Sequence, residues 1–365
     1  TIDGGGGNNT FDYSARSGPV TMDLGAGTAT GAGGFQNVGE LIGSAGGDTL
    51  VGEDDSNTWT LDGADAGSVD GFNYAGVENL QGGDADDSFV AELDGAVSGL
   101  ISGGLGDDSL TGAGEGNNWN VSGTDAGDLN GLGFTDIENL IGGDLDDTFV
   151  FAAAGLLSGS VTGRGGNDRI RGADKNNQWR ISGSNSGQLN GGDFDGIEAL
   201  EGGDQADDFT LDDGGSISGG IDGGAGDDTL FGPAPNSSWT VDGAGSGDVA
   251  GVAFEGMENL IGAADNEDTF IIGQFGSIDL VDGGDGGFDS IILADGSYSS
   301  VVYTNLSPDT ATIDRDGDVL TFTGLEPAAD ATGGAKTVTS SDPDASNNAT
   351  SADTITISGS SNTLT

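Results

Sequence analysis

The chain has 365 residues, of which 74 are glycine, 62 are acidic and only eight are basic, giving a formal net charge of −54. Apolar residues make up 34%, and histidine and cysteine are absent; this excludes disulfides and zinc–thiolate sites and is a poor composition for a compact helical globule. So strong a negative charge disfavours nucleic acid and anionic membranes as partners, and no apolar run is long enough to insert into a bilayer.

The chain starts at Thr1 with no charged-then-apolar leader, so it reads as a processed product or an excised piece. Residues 1–34 open with Gly4-Gly5-Gly6-Gly7-Asn8-Asn9-Thr10-Phe11. A strand with alternating Val20, Met22 and Leu24 follows, and together they predict a starter coil or cap.

From about residue 35 to 295 the chain repeats itself. Trp59, Trp119, Trp179 and Trp239 are each 60 residues apart, as are Glu78, Glu138, Glu198 and Glu258. Tyr74, Phe134, Phe194 and Phe254 keep the same interval, and a finer beat of 20 marks glycines such as Gly83, Gly103 and Gly123. Short β-favouring pieces separated by Gly, Asp and Asn, with no helical periodicity, predict an all-β chain. The spacing predicts a parallel β-solenoid, a β-roll or β-helix, with coils of about 20 residues and three coils per 60-residue repeat. Trp119 and Val121 alternate with polar Asn120, which puts the tryptophans in the core; a platform for stacking sugars is the competing reading.

After residue 295 the beat is lost. Thr310 to Asp314 and Val319 to Thr323 flank Arg315-Asp316-Gly317-Asp318, which predicts a hairpin rather than a cation loop built on Asp314, Asp316 and Asp318. Beyond Pro327 the chain reads as a Ser/Thr-rich linker, with one last strand at Thr354-Ile355-Thr356-Ile357. The expected organisation is therefore a cap (1–34), a solenoid (35–295) and a C-terminal region (296–365).

Gly103 to Thr111 and Gly223 to Phe231 fit the nonapeptide G-G-x-G-x-D-x-U-x, where U is a large apolar residue. Glycine turns can fold carbonyls inward, an aspartate adds a carboxylate, and a hard cation such as Ca²⁺ takes six to eight oxygens of these kinds. Asp48, Asp87, Asp108, Asp147, Asp168, Asp207, Asp228 and Asp289 are the candidate ligands. A ladder of solvated, turn-forming aspartates with no metal is the alternative. Asp128 and Asp248 take part only irregularly, since Ser68 and Gln188 stand at the matching places. Around Asp168, the cluster Arg164, Arg169, Arg171, Lys175 and Arg180 offers guanidinium groups in place of a cation.

These motifs resemble the haemolysin-type calcium-binding repeats, or RTX repeats, of secreted bacterial proteins. Val20 to Gly31 and Val38 to Leu50 are similar to segments that accompany such repeats. The resemblance spans about residues 1–295 and implies a parallel β-roll, type I secretion and calcium-driven folding outside the cell. It implies calcium ligation by Asp108 and Asp228, and with displaced glycines by Asp48, Asp168 and Asp289. The sequence departs from the pattern in having about one nonapeptide per 20 residues, and Asn9 where the first copy should carry aspartate.

The expected function is that of a secreted or cell-surface structural segment (filament, adhesin shaft or surface layer), non-enzymatic and able to associate end to end. The alternatives are a carrier module for a secreted enzyme and, third, a polysaccharide-active β-helix touching glycans through the basic cluster. Acid–base chemistry without histidine weighs against the last.

Overall fold

The structure is a computed structural model that describes residues 1–294, 296–307, 310–325, 328–330, 333–340 and 356–357. Every regular element among them is a β-strand, and most strands pair in parallel with one further along the chain. The chain is a parallel β-solenoid. It divides into two compact units: Thr1–Ala173 with Gly192–Ile197, and Asp174–Gly191 with Glu198–Thr365.

In the first unit two sheets face one another. One carries Thr10–Asp12, Glu40–Ile42, Ser88–Ala91, Ser109–Thr111, Asn139–Ile141 and Ser160–Thr162 among its strands. The other carries Thr21–Asp23, Thr49–Val51, Asn79–Gly83 and Leu100–Gly104. Alternation puts one residue per short strand into the space between them. Register stacks Met22, Leu50, Leu80 and Ile101 in one column, and Trp59, Phe89, Leu110, Leu140 and Val161 in another. All are buried. The second unit repeats the scheme with Trp179, Phe209, Leu230, Leu260 and Val281, and with Trp239, Phe270 and Ile291.

The rungs are not three equal coils. Leu50 pairs with Leu80, 30 residues on, and Leu80 with Ile101, 21 residues on. The remaining third of each repeat folds as an antiparallel meander, as in Asn118–Gly123, Ala126–Leu129 and Leu132–Thr135. Two-residue turns make this fold-back. Asp70-Gly71, Asn130-Gly131 and Ala250-Gly251 all have positive φ at both positions, the geometry that matches the twist of a hairpin. The even 20-residue beat hides them because a strand returning on the same sheet takes as many residues as one crossing to the other.

The tryptophans open these meanders and lie in the core, each stacked on a phenylalanine of the next rung with ring centroids 5.2–5.5 Å apart. None is more than 2% exposed, so the sugar-platform reading fails. The Arg315–Asp318 hairpin forms as expected, with Asp316 and Gly317 at its tip. Its Arg315 is buried, donates from Nη2 to the Gly276 carbonyl (2.6 Å) and pairs with Asp318. Gly333–Ser340, expected as linker, is a strand parallel to Ser297–Ser307. Of the final predicted strand, Thr356–Ile357 pairs with Ala328–Asp330, while Thr354, Ile355 and the preceding Ser/Thr-rich stretch lie outside the described residues.

Tyr74 occupies the place that Phe134 and Phe254 take in their meanders, and its buried hydroxyl has no partner. Desolvation pushes that hydroxyl well above the usual phenol range. Tyr74→Phe is expected to stabilise the fold by about 1 kcal/mol, and Phe134→Tyr to destabilise it by a similar amount, both read by denaturant melts.

Candidate functional site: the aspartate corners

Each of the eight aspartates singled out from sequence lies at a corner where the chain enters a strand, and each is buried, at most 2% exposed. The cause is local. Asp108 sits two residues before Leu110, so both point to the same inner face. The aspartates are therefore buried rather than solvated.

The carboxylates bracket successive rungs. Asp87 accepts the Asn57 N–H on Oδ1 (2.6 Å) and the Gly83 N–H on Oδ2 (2.7 Å). Its own N–H donates to Asp108 Oδ1 (2.7 Å), and the Asp108 N–H donates to Glu138 Oε2 (2.7 Å). Asp147 likewise accepts from Asn117 (2.6 Å) and donates to Asp168 Oδ1 (2.7 Å). Asp48 accepts the N–H of Val20 (2.7 Å) and donates to Glu78 Oε2 (2.6 Å). In the second unit the row runs from Asn177 to Asp207 (2.6 Å), to Asp228 (2.8 Å) and to Glu258 (2.8 Å). These N–H groups stand where the chain turns and no strand partner is in place, so the carboxylate completes what the sheet cannot.

Asp268 belongs to the set and sequence spacing misses it. It accepts the Ser237 N–H (2.7 Å) and donates to Asp289 (2.7 Å). One extra residue displaces it from the 60-residue beat, though Asp268-Thr269-Phe270 repeats Asp147-Thr148-Phe149. The glutamates at 78, 138 and 258 also act here, as receivers of the row. Asp128, by contrast, lies on the middle strand of a meander and bonds Asn120 (3.1 Å). Arg169 and Arg171 flank inward Ile170 on their strand and are exposed and half-buried.

The second oxygen of the carboxylate decides the chemistry. Asp108, Asp207 and Asp228 each have an Oδ2 that is buried and unpartnered. A β-carbon at Gly103 would collide with both Asp108 Oδ2 and the Asp136 carbonyl oxygen, so both acceptors border the same small space. Gly202 reports the same for Asp207 and the Gly223 carbonyl, and Gly223 for Asp228 and the Gly256 carbonyl. At the first corner Asn9 stands in place of aspartate, and its Nδ2 donates to the facing Asn37 carbonyl (2.7 Å). A donor completes that corner; at Asp108, Asp207 and Asp228 the second carboxylate oxygen lies beside a carbonyl and has no donor of its own.

A proton or a cation between such oxygens removes the conflict. Burial pushes Asp108 and Asp228 up to about 7, with repulsion from Asp87 and Glu138, and from Asp207 and Glu258, adding to it. Burial raises Asp207 to about 6, opposed by hydrogen bonds from Asn177. One carboxylate with facing carbonyls suits a hard cation, so the residues present fit Ca²⁺ in donor type. Anionic ligands are few: among the described residues no three acidic side chains converge as a metal cage.

Compared with known proteins, the chain matches no family model, and no curated protein has a similar sequence.

Two outcomes are expected. First, these aspartates titrate near 3.9 when unfolded, so between about pH 4 and 7 the folded chain binds more protons. Metal-free protein therefore loses stability as pH rises through that window, measurable as a falling Tm. Second, Asp108→Asn keeps the acceptor for Asp87 and turns a donor towards the Asp136 carbonyl, as Asn9 does. It should raise the metal-free Tm above pH 7 and flatten its pH dependence. Asp108→Ala instead strands the Asp87 N–H and costs about 1–3 kcal/mol.

Proposed function

We propose that the chain is a calcium-dependent structural segment of a secreted or cell-surface protein, non-catalytic, with Ca²⁺ held at the aspartate corners. The observation that carries this reading is the opposed pair of oxygens beside Asp108, Asp207 and Asp228, in a chain of net charge −54. At neutral pH each such pair opposes folding unless a positive centre enters. Calcium is scarce inside cells and millimolar outside, so a corner of weak affinity would complete the fold only after export. A binder of the folded state adds stability as its concentration exceeds Kd, so the ion sets when the rungs close.

A structural role agrees with an interior filled by side-chain columns and a chain without histidine or cysteine. Association of copies end to end is part of the proposal. Among the described residues, Thr10–Asp12 and Gly333–Ser340 each pair on one side only. Open strands of this kind are templates for another strand.

Chelator should lower the Tm strongly, and millimolar Ca²⁺ should restore it with saturable binding by calorimetry. In the triple variant Asp108→Asn, Asp207→Asn, Asp228→Asn that calcium-dependent gain should largely vanish while the fold remains. A melt indifferent to both chelator and calcium overturns the reading.

A further inference from the structure

We propose that the outer face of the second unit carries a binding groove for a neutral, hydroxyl-rich oligosaccharide, centred on Arg180, Thr210 and Phe231. The groove encloses about 410 Å³, within the range of small-ligand sites, and Gln178, Gln188 and Asp208 complete its walls. It does not depend on the corners: its side chains stand on the outward positions of strands whose inward positions carry Trp179 and Phe209.

Sheet register explains why a groove opens here. Gln188, Arg180, Thr210 and Phe231 lie side by side on four neighbouring strands. The equivalent row around Trp59 reads Ser68, Thr60, Val90, Thr111. Around Trp119 it reads Asp128, Asn120, Val150, Arg171, and around Trp239 it reads Asp248, Thr240, Ile271, Ile292. Elsewhere a branched aliphatic residue occupies the third place beside a short polar one. Here the third place is the polar Thr210, and a long side chain rises on one side and a phenyl ring on the other. The floor is polar and the walls are raised.

The lining chemistry selects the ligand. Arg180 bonds Asp212 through Nε alone (2.7 Å), and its side chain is 61% exposed, so the Nη groups remain turned to solvent as paired donors. Asp212 offsets the guanidinium charge, and Asp208 adds an acceptor, so the groove is polar without being cationic. An anionic ligand would also meet the field of a chain at −54. Donors, acceptors and the Gln178 amide, which serves as both, match hydroxyl groups, which themselves donate and accept. The half-buried ring of Phe231 offers an apolar face for the C–H side of a sugar ring. A hydroxyl-rich, uncharged oligomer meets each of these conditions.

The test uses the full chain and calorimetry or ligand-observed NMR, with neutral tetrasaccharides of gluco, manno and galacto configuration and a galacturonate tetramer. Each is run with chelator and with calcium, which separates this groove from the corner sites. Saturable binding of at least one neutral tetrasaccharide is expected, with the galacturonate weaker. Arg180→Ala and Phe231→Thr should each weaken it at least tenfold, and Arg180→Lys should fall between. Thr240→Ala, in the equivalent row beside Trp239, should leave it unchanged. All three positions are surface-facing, and an unaltered circular dichroism spectrum and melt confirm folding. No binding of any neutral probe, tighter binding of the galacturonate, or full binding in both Arg180→Ala and Phe231→Thr overturns the proposal.

Discussion

The structure depends on a carboxylate accepting the N–H of a neighbouring rung at the point where the chain turns. Parallel pairing satisfies the backbone along each short strand, but a corner takes it out of register with its neighbours. An N–H left buried there costs about as much as a lost hydrogen bond. Asp87 and Asp147 meet that need with both oxygens, and asparagine at 57 and 117 adds a second donor to the same carboxylate. The corner glycines are part of the device, since a β-carbon at Gly82 or Gly103 would fill the space that the carboxylate and the facing carbonyl occupy.

The same bracket creates the conflict on which the proposed function rests. Charged acceptors are efficient at holding N–H groups, yet a row of them inside a chain of −54 accumulates repulsion that hydrogen bonds alone do not cancel. Where a second N–H reaches the carboxylate, as at Asp87, both oxygens are engaged. Where it does not, as at Asp108 and Asp228, the second oxygen is buried without a donor. Asn9 shows the neutral solution within the same molecule.

Inner and outer faces follow separate rules. Inward positions are constrained to aromatic and aliphatic columns, because Trp119 must stack on Phe149 and Leu80 on Ile101. Outward positions are free to vary, as Arg180, Thr210 and Phe231 do in the row beside Trp179. The groove proposed for one repeat therefore lies on the outside, and the calcium sites proposed for many repeats lie at the corners.

Sequence alone determined the all-β solenoid, the buried tryptophans, the hairpin at Asp316-Gly317 and all but one of the corner aspartates, since each rests on local periodicity or turn chemistry. The equal 20-residue coil was an average that local pattern could not resolve: Asn130-Gly131 carries a hairpin signal, but whether a strand folds back or crosses over is settled by its partner. Asp268 escaped because one inserted residue breaks a count without breaking the register. Only the tertiary structure decided what the aspartates touch. A side chain's parity along a strand is written in the sequence, whereas the N–H or carbonyl that faces it comes from a rung 21 or 30 residues away and exists only once the rungs are stacked.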